Sequence, residues 1–90
     1  MTFEIPYEIA IGVAERLRCF RKLKRITIKE VSKKSGVPYS SIRRFESKGE
    51  ISFLAFVKTT STIGKDREIT NLFSKYIPES IEDIIRAKRR

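Results

Sequence analysis

Between positions 39 and 44 the chain carries side chains that could bind a nucleic acid. Four polar residues lie three or four positions apart and therefore share one face of a helix: Tyr39, Ser40, Arg43 and Arg44. Ile42 and Phe45 fall on the opposite face. The apolar face can anchor such a helix, while hydroxyl and guanidinium groups on the outer face can hydrogen-bond to DNA.

A pair of short helices is predicted to position these side chains. Thr27 and Glu30 have the spacing of a capping box, which predicts a helix over 27–34. Gly36 then supplies a left-handed turn, and a second helix is predicted over 38–46. A tight turn makes two short helices cross steeply, so that the second can enter a major groove. The segment therefore predicts a helix-turn-helix.

Helical periodicity predicts four more helices and a turn at 47–50. The first helix, 6–25, has an inward face at Ile9, Val13, Leu17 and Phe20. The fourth, 52–63, has an inward face at Phe53, Phe56, Val57, Thr60 and Ile63. A fifth, capped by its first residue, covers 66–73, and a sixth begins at 78–80. The predicted class is all-α.

The charge of the chain favours a polyanionic partner. Its 90 residues include 20 Lys and Arg against 11 Asp and Glu, which gives a net charge of +9. Positions 15–25 alone hold six basic residues and one glutamate. Such an excess is typical of nucleic-acid-binding domains, although a solvated basic surface would show it too.

Several classes of protein are excluded by composition. The chain has no His and a single cysteine, Cys19, which excludes zinc fingers, His-dependent triads and a disulfide framework, and favours a reducing compartment. Cys19 is expected to be a partly buried thiol. We expect no enzyme activity, cofactor or metal, because neither a nucleophile–base pair nor a phosphate-binding glycine loop is present. The longest apolar run, 9–14, has six residues, against about 20 for a membrane span.

A family resemblance is carried by the run ERLRCFRKLKRITIKEVSKKSGVPYSSIRRFESKGEIS. It resembles the Xre-type helix-turn-helix domain of lambdoid phage repressors and Cro, over residues 15–64. The opening MTFEIPYEIA, the FESKGEIS turn and the ending LFSKYIPESIEDIIRAKRR are similar to small Xre regulators related to HipB. The resemblance implies a five-helix lambda-repressor-like bundle, 6–74, an extended N-terminal arm, 1–5, and an additional short C-terminal helix with a basic tail, 75–90.

The resemblance also implies roles for individual residues. It places Tyr39, Ser40 and Arg44 at base-reading positions, with Arg43 beside them. A guanidinium at Arg44 could bond O6 and N7 of one guanine together, worth about 1–3 kcal/mol of discrimination. Three residues match positions that hold phosphates: Thr27, Ser47 and Lys48. Arg21 and Glu46 match an internal ion pair that ties the first helix to the end of the third, and so are expected to be structural.

The function implied is that of a cytoplasmic, nucleoid-associated bacterial repressor that binds inverted-repeat, double-stranded DNA as a homodimer and regulates its own operon. Similarity to HipB-like regulators further implies an antitoxin whose partner is a HipA-like kinase toxin. Two alternatives remain: a solitary phage-type regulator, and a basic protein-interaction module for which DNA is incidental. The apolar stripe of the last helix is the candidate dimer or partner surface: Ile81, Ile84 and Ile85.

Overall fold

A computed structural model describes residues 5–76 and 81–88, which form six α-helices and no strand. The helices are α1 (Pro6–Leu23), α2 (Ile28–Ser35), α3 (Tyr39–Lys48), α4 (Phe53–Thr62), α5 (Asp66–Thr70) and α6 (Ile81–Lys88), with a 3-10 turn at Ser74–Tyr76. The predicted all-α class is confirmed. Most of the expected N-terminal arm and the expected start of the sixth helix, 78–80, lie outside the described residues.

Local capping interactions set the ends of the two central helices. At the start of α2, the Thr27 Oγ1 accepts from the Glu30 amide at 3.1 Å, and the Glu30 carboxylate accepts from the Thr27 amide at 3.2 Å. Gly36, with φ +78°, ends α2, and Gly49, with φ +72°, ends α3. The predicted capping box and glycine turn are therefore confirmed.

Helix α3 is longer than predicted. It continues to Lys48, so that Ser47 and Lys48 occupy its last helical turn rather than a loop. The left-handed conformation at Gly49 delays the end of the helix by satisfying a carbonyl of that last turn: the Gly49 amide donates to the Phe45 carbonyl at 2.8 Å.

The core gathers apolar side chains from α1 to α4 and the turn between α2 and α3. Its buried members are Ala14, Leu17, Val31, Val37, Ile42, Phe45 and Ile63. Helix α1 packs on α3, and α2 packs on both α3 and α4. The rings of Phe45 and Phe56 meet edge to face with centroids 5.5 Å apart. Ile42 and Phe45 therefore face inward as predicted, and burial of their side chains holds α3 in place.

The predicted inward face of α1 is wrong at Ile9, whose side chain is 49% exposed. The buried positions of α1 are Ala14, Leu17 and Arg21, a stripe that extends back to half-buried Ala10. The cause is a close helix approach: a Cβ built on Gly49 would lie 3.0 Å from the backbone of Ala10. A small residue must therefore face α3 there, and the larger Ile9 is turned outward.

Three further expectations about the periphery are wrong. Phe53 is 66% exposed, because it is the first residue of α4 and lies about two turns before the buried residues of that helix, Thr59 and Thr60. Cys19 is exposed rather than partly buried, because it lies away from the inward stripe of α1. Helix α5 ends at Thr70 instead of residue 73, and its N-cap is Lys65 rather than Asp66.

A bidentate ion pair joins α1 to α3. Arg21 Nε and Nη2 donate to the two carboxylate oxygens of Glu46 at 2.7 and 2.9 Å. Arg21 Nη1 also donates to the Ile26 carbonyl at 2.8 Å, in the connection between α1 and α2. Each of the two charged side chains is only 10% exposed. One arginine therefore links α1, the following connection and α3.

Glu46→Gln is expected to lower the free energy of unfolding by about 3–5 kcal/mol, because it leaves the buried Arg21 cation without a counter-charge. Urea denaturation of both proteins measures the difference. The matched control is Glu15→Gln, which removes the same charge from an exposed position of α1 and should change stability by less than about 0.5 kcal/mol. Equal stabilities for the two variants would contradict the structural role of the pair.

Two glycines in similar backbone conformations are expected to tolerate alanine differently. Gly36→Ala should lower the free energy of unfolding by about 1–2 kcal/mol, the cost of a left-handed backbone at alanine. No steric cost is added, because nothing lies within 4 Å of the new Cβ. Gly49→Ala should cost more, because its Cβ would also press on the backbone of α1. Urea denaturation of both variants tests this order, and the reverse order would contradict the close approach.

Candidate nucleic-acid interface

One half of α3 presents polar and basic side chains to solvent. At 3.6 residues per turn, six residues of α3 lie within roughly half of its circumference: Tyr39, Ser40, Arg43, Arg44, Ser47 and Lys48. All six are exposed. Ile42 and Phe45, on the other half, are 0% and 3% exposed. The structure therefore brings together on one surface every residue expected at base-reading positions and two of the three expected at phosphates.

Arg44 already has an acidic partner on this surface. Its Nε and Nη2 both donate to Oε2 of Glu50, at 3.1 and 2.6 Å. The hydrogen bonds from Arg44 and its positive charge lower the pKa of Glu50 below its ordinary value. The side chains are 62% and 54% exposed, so solvent screens the pair and it contributes little to folding.

No sequence pattern indicates Glu50 as part of this surface. It follows Arg44 by six positions, which is not a spacing that brings two residues together along one helix. The left-handed turn at Gly49 reverses the chain and allows the carboxylate to reach back. The glycine was a visible signal for a turn, but the position of the following side chain depends on how that turn packs against α1.

Thr27, the third residue expected at a phosphate, lies at the start of α2 and is engaged in its own cap. Its hydroxyl accepts from the Glu30 amide and donates to Glu30 Oε1 at 3.1 Å. The Glu30 carboxylate thus occupies the helix N-terminus. The amide and hydroxyl of Thr27 both lower the pKa of Glu30, so an anionic group is already held where a phosphate would bind.

Ser47 and Lys48 extend the exposed surface to the C-terminal end of α3. The Ser47 hydroxyl donates to the Arg44 carbonyl at 3.2 Å, so its proton is already engaged within the helix. Lys48 is exposed in the last turn of the helix. Of these two, Lys48 is the residue with the charge to attract a phosphate.

Some of the basic residues of positions 15–25 have structural partners. Arg21 pairs with Glu46, and the Lys24 ammonium donates to the Ile63 carbonyl at 2.5 Å, which joins the end of α1 to the end of α4. Arg16, Lys22 and Arg25 are exposed. The positive charge available to a partner is therefore smaller than the sequence count suggests.

The described residues contain neither a cluster suited to a metal ion nor a helix that could span a membrane. No group of three or more Cys, Asp or Glu side chains in 5–76 and 81–88 could hold a metal ion. Across those two ranges, no helix is both long enough and apolar enough to cross a membrane. The chain matches no protein-family model, no curated protein and no solved structure.

The stabilising contribution of Glu30 is expected to depend on pH. Because its pKa is lowered in the folded state, the folded protein binds this proton more weakly than the unfolded chain does. The contribution is therefore fully present above the ordinary glutamate pKa of about 4.3 and is lost as the pH falls through the lowered pKa.

Urea denaturation of the wild-type protein and of Glu30→Gln, at neutral pH and at several acidic pH values, measures this contribution. The difference in unfolding free energy between the two proteins should shrink in acid. A difference that is constant over the whole range would contradict the role of the ionised carboxylate in the cap.

Proposed function

We propose that this chain is a sequence-specific DNA-binding repressor, in which α2 and α3 act as a helix-turn-helix within a lambda-repressor-like bundle. One observation carries the proposal. The exposed half of α3 consists of hydroxyl and cationic side chains, while its other half is locked into the core by Ile42 and Phe45. A rigid helix with one readable face is what recognition of a base sequence requires.

The dimensions and chemistry of α3 suit a major groove. An α-helix with its side chains is about 10–12 Å across, and the major groove of B-DNA is about 12 Å wide. Arg43 and Arg44 can donate to O6 and N7 of guanine, Ser40 can bond to a base edge or a phosphate, and the Tyr39 ring can contact a thymine methyl group. These four residues are the proposed base-reading set.

Phosphate contacts would orient α3 along the duplex. Lys48, at the end of the helix, is the leading proposed phosphate contact. Ser47 and Thr27 are weaker candidates, because the Ser47 hydroxyl already donates to the Arg44 carbonyl and the Thr27 hydroxyl to Glu30. Such contacts set the register without reading sequence. The net charge of +9 supports attraction to a polyanion over a longer range.

Repression would require two copies of the chain on one operator. Two α3 helices about 34 Å apart would occupy successive major grooves of an inverted repeat and exclude polymerase sterically. Leu72 and Phe73, after α5, are 52% and 78% exposed, and Ile85, on α6, is 45% exposed. The side chains of Ile81 and Ile84, the other two candidates for a dimer surface, lie outside the described residues. These exposed apolar side chains are the proposed contribution to a homodimer interface, which would require them to form one contiguous patch.

A basic protein-interaction module is the second candidate function, and the net charge of +9 with the exposed cations of α3 is compatible with it as well. In that case the chain would form a tight complex with an acidic protein and bind duplex DNA weakly, without sequence preference. The antitoxin role beside a HipA-like kinase, and the alternative of a solitary phage-type regulator, stay predictions from the resemblance.

Selection of bound duplexes from a random pool separates the two candidates. A repressor should enrich an inverted repeat whose half-sites are one helical turn apart, and should bind it more tightly than a scrambled duplex at the same salt concentration. A pool that stays random after repeated rounds would contradict the proposed function.

Arg44→Ala and Lys48→Ala are expected to have different effects on the selected duplex. Loss of Arg44 should cost about 1–3 kcal/mol at one base position and relax the preference there. Loss of Lys48 should weaken all sequences alike and reduce the slope of log K against log salt by about one. Titrations with selected and random duplexes at several salt concentrations measure both effects.

Arg67→Ala is the matched control, since it removes one exposed cation from α5 rather than from α3. It should leave base preference unchanged. If Arg44→Ala weakened selected and random duplexes equally, Arg44 would not be a base-reading residue.

A further inference from the structure

We propose that Glu50 is a specificity-determining residue, which positions the Arg44 guanidinium so that its outer end reads a base. This inference rests on the proposed DNA-binding function. It assigns a role to an acidic residue at the edge of a basic surface, where a carboxylate would otherwise only repel phosphates.

The hydrogen bonds leave a defined part of Arg44 available. Glu50 Oε2 accepts from Nε and Nη2, which lie along one side of the planar guanidinium. The other donors, on Nη1 and the second hydrogen of Nη2, point along the end of the side chain. That end is a two-pronged donor of the kind that matches O6 and N7 of guanine.

Positioning matters because the core does not restrain Arg44. Its side chain is 62% exposed, so packing alone would leave its rotamers free. Ordering a free arginine on binding has an entropic cost, which is lower when the side chain is already held in its bound orientation. An ion pair that contributes little to folding can therefore still contribute to recognition.

The backbone that carries Glu50 is well supported. Gly49, just before it, lies so close to α1 that an added Cβ would be 3.0 Å from the backbone there. Ile51, just after it, is half-buried and packs against the core. The carboxylate is thus attached to a short segment that is held at both ends. It can therefore keep the Arg44 guanidinium in one position.

The same carboxylate disfavours binding to the wrong sequence. On a duplex without the correct guanine, Arg44 could leave Glu50 to bind a phosphate, but Glu50 would then be an unpaired anion beside the DNA backbone. On the correct sequence, Arg44 can bind guanine and remain paired with Glu50. Glu50 therefore raises specificity by penalising the alternative as well as by supporting the intended contact.

The experiment measures affinity for two probes at one salt concentration: the duplex that the wild-type protein selects from a random pool, and a random duplex. The readout is the ratio of the two affinities. Glu50→Gln should lower this ratio about tenfold, within the range of a lost bidentate base contact, and should bind the random duplex more tightly than the wild-type protein does. The matched control Glu15→Gln removes the same charge from α1 and should leave the ratio unchanged.

Two more variants separate positioning from charge. Glu50→Asp keeps the negative charge but shortens the reach, so the ratio should fall without tighter binding to random DNA. In an Arg44→Ala background, Glu50→Gln should no longer change the ratio, since the positioned group is absent.

Unchanged ratios for Glu50→Gln and Glu50→Asp on a selected duplex would overturn the role of Glu50 while leaving the proposed function intact. An undiminished effect of Glu50→Gln in the Arg44→Ala background would overturn it as well. Failure of the wild-type protein to select any sequence would overturn the proposed function, and this inference with it.

Discussion

The orientation of α3 depends on the buried ion pair between Arg21 and Glu46. The guanidinium bonds both carboxylate oxygens and also the Ile26 carbonyl, so it connects α1, the following connection and α3 at one point. Desolvation offsets much of the Coulombic attraction in such a pair, so its net contribution to stability is smaller than its geometry suggests. Its directional hydrogen bonds nevertheless allow few arrangements of these elements, whereas hydrophobic packing alone would allow more of them.

Two of the arginine–glutamate pairs that involve α3 have different surroundings and therefore different roles. The pair of Arg21 and Glu46 is 10% exposed on both sides and holds helices together. The pair of Arg44 and Glu50 is more than half exposed and does not join core elements. Because solvent screens the second pair, it can be broken or shared with a ligand at little cost in stability. Its position on the surface of α3 therefore suits a role in recognition.

Much of the fold could be predicted from short-range patterns, because the interactions behind them are local. The capping box at Thr27, the left-handed glycine after α2 and the inward pair Ile42 and Phe45 involve residues at most four positions apart. The predictions are wrong where contacts between elements far apart in the sequence determine which side chains are buried. Ile9 has helical spacing with other apolar residues, yet the approach of Gly49 to α1 turns it outward.

For the candidate site, residue spacing was enough to predict which polar residues share the outer half of α3, because the geometry of a helix is regular. The contacts of those residues could be read only from the folded arrangement of the helices. Glu50 reaches Arg44 across a turn, and Glu46 meets Arg21 from 25 positions away, through the packing of α3 on α1. Contacts of this kind depend on the crossing of helices, which no local spacing in the chain specifies.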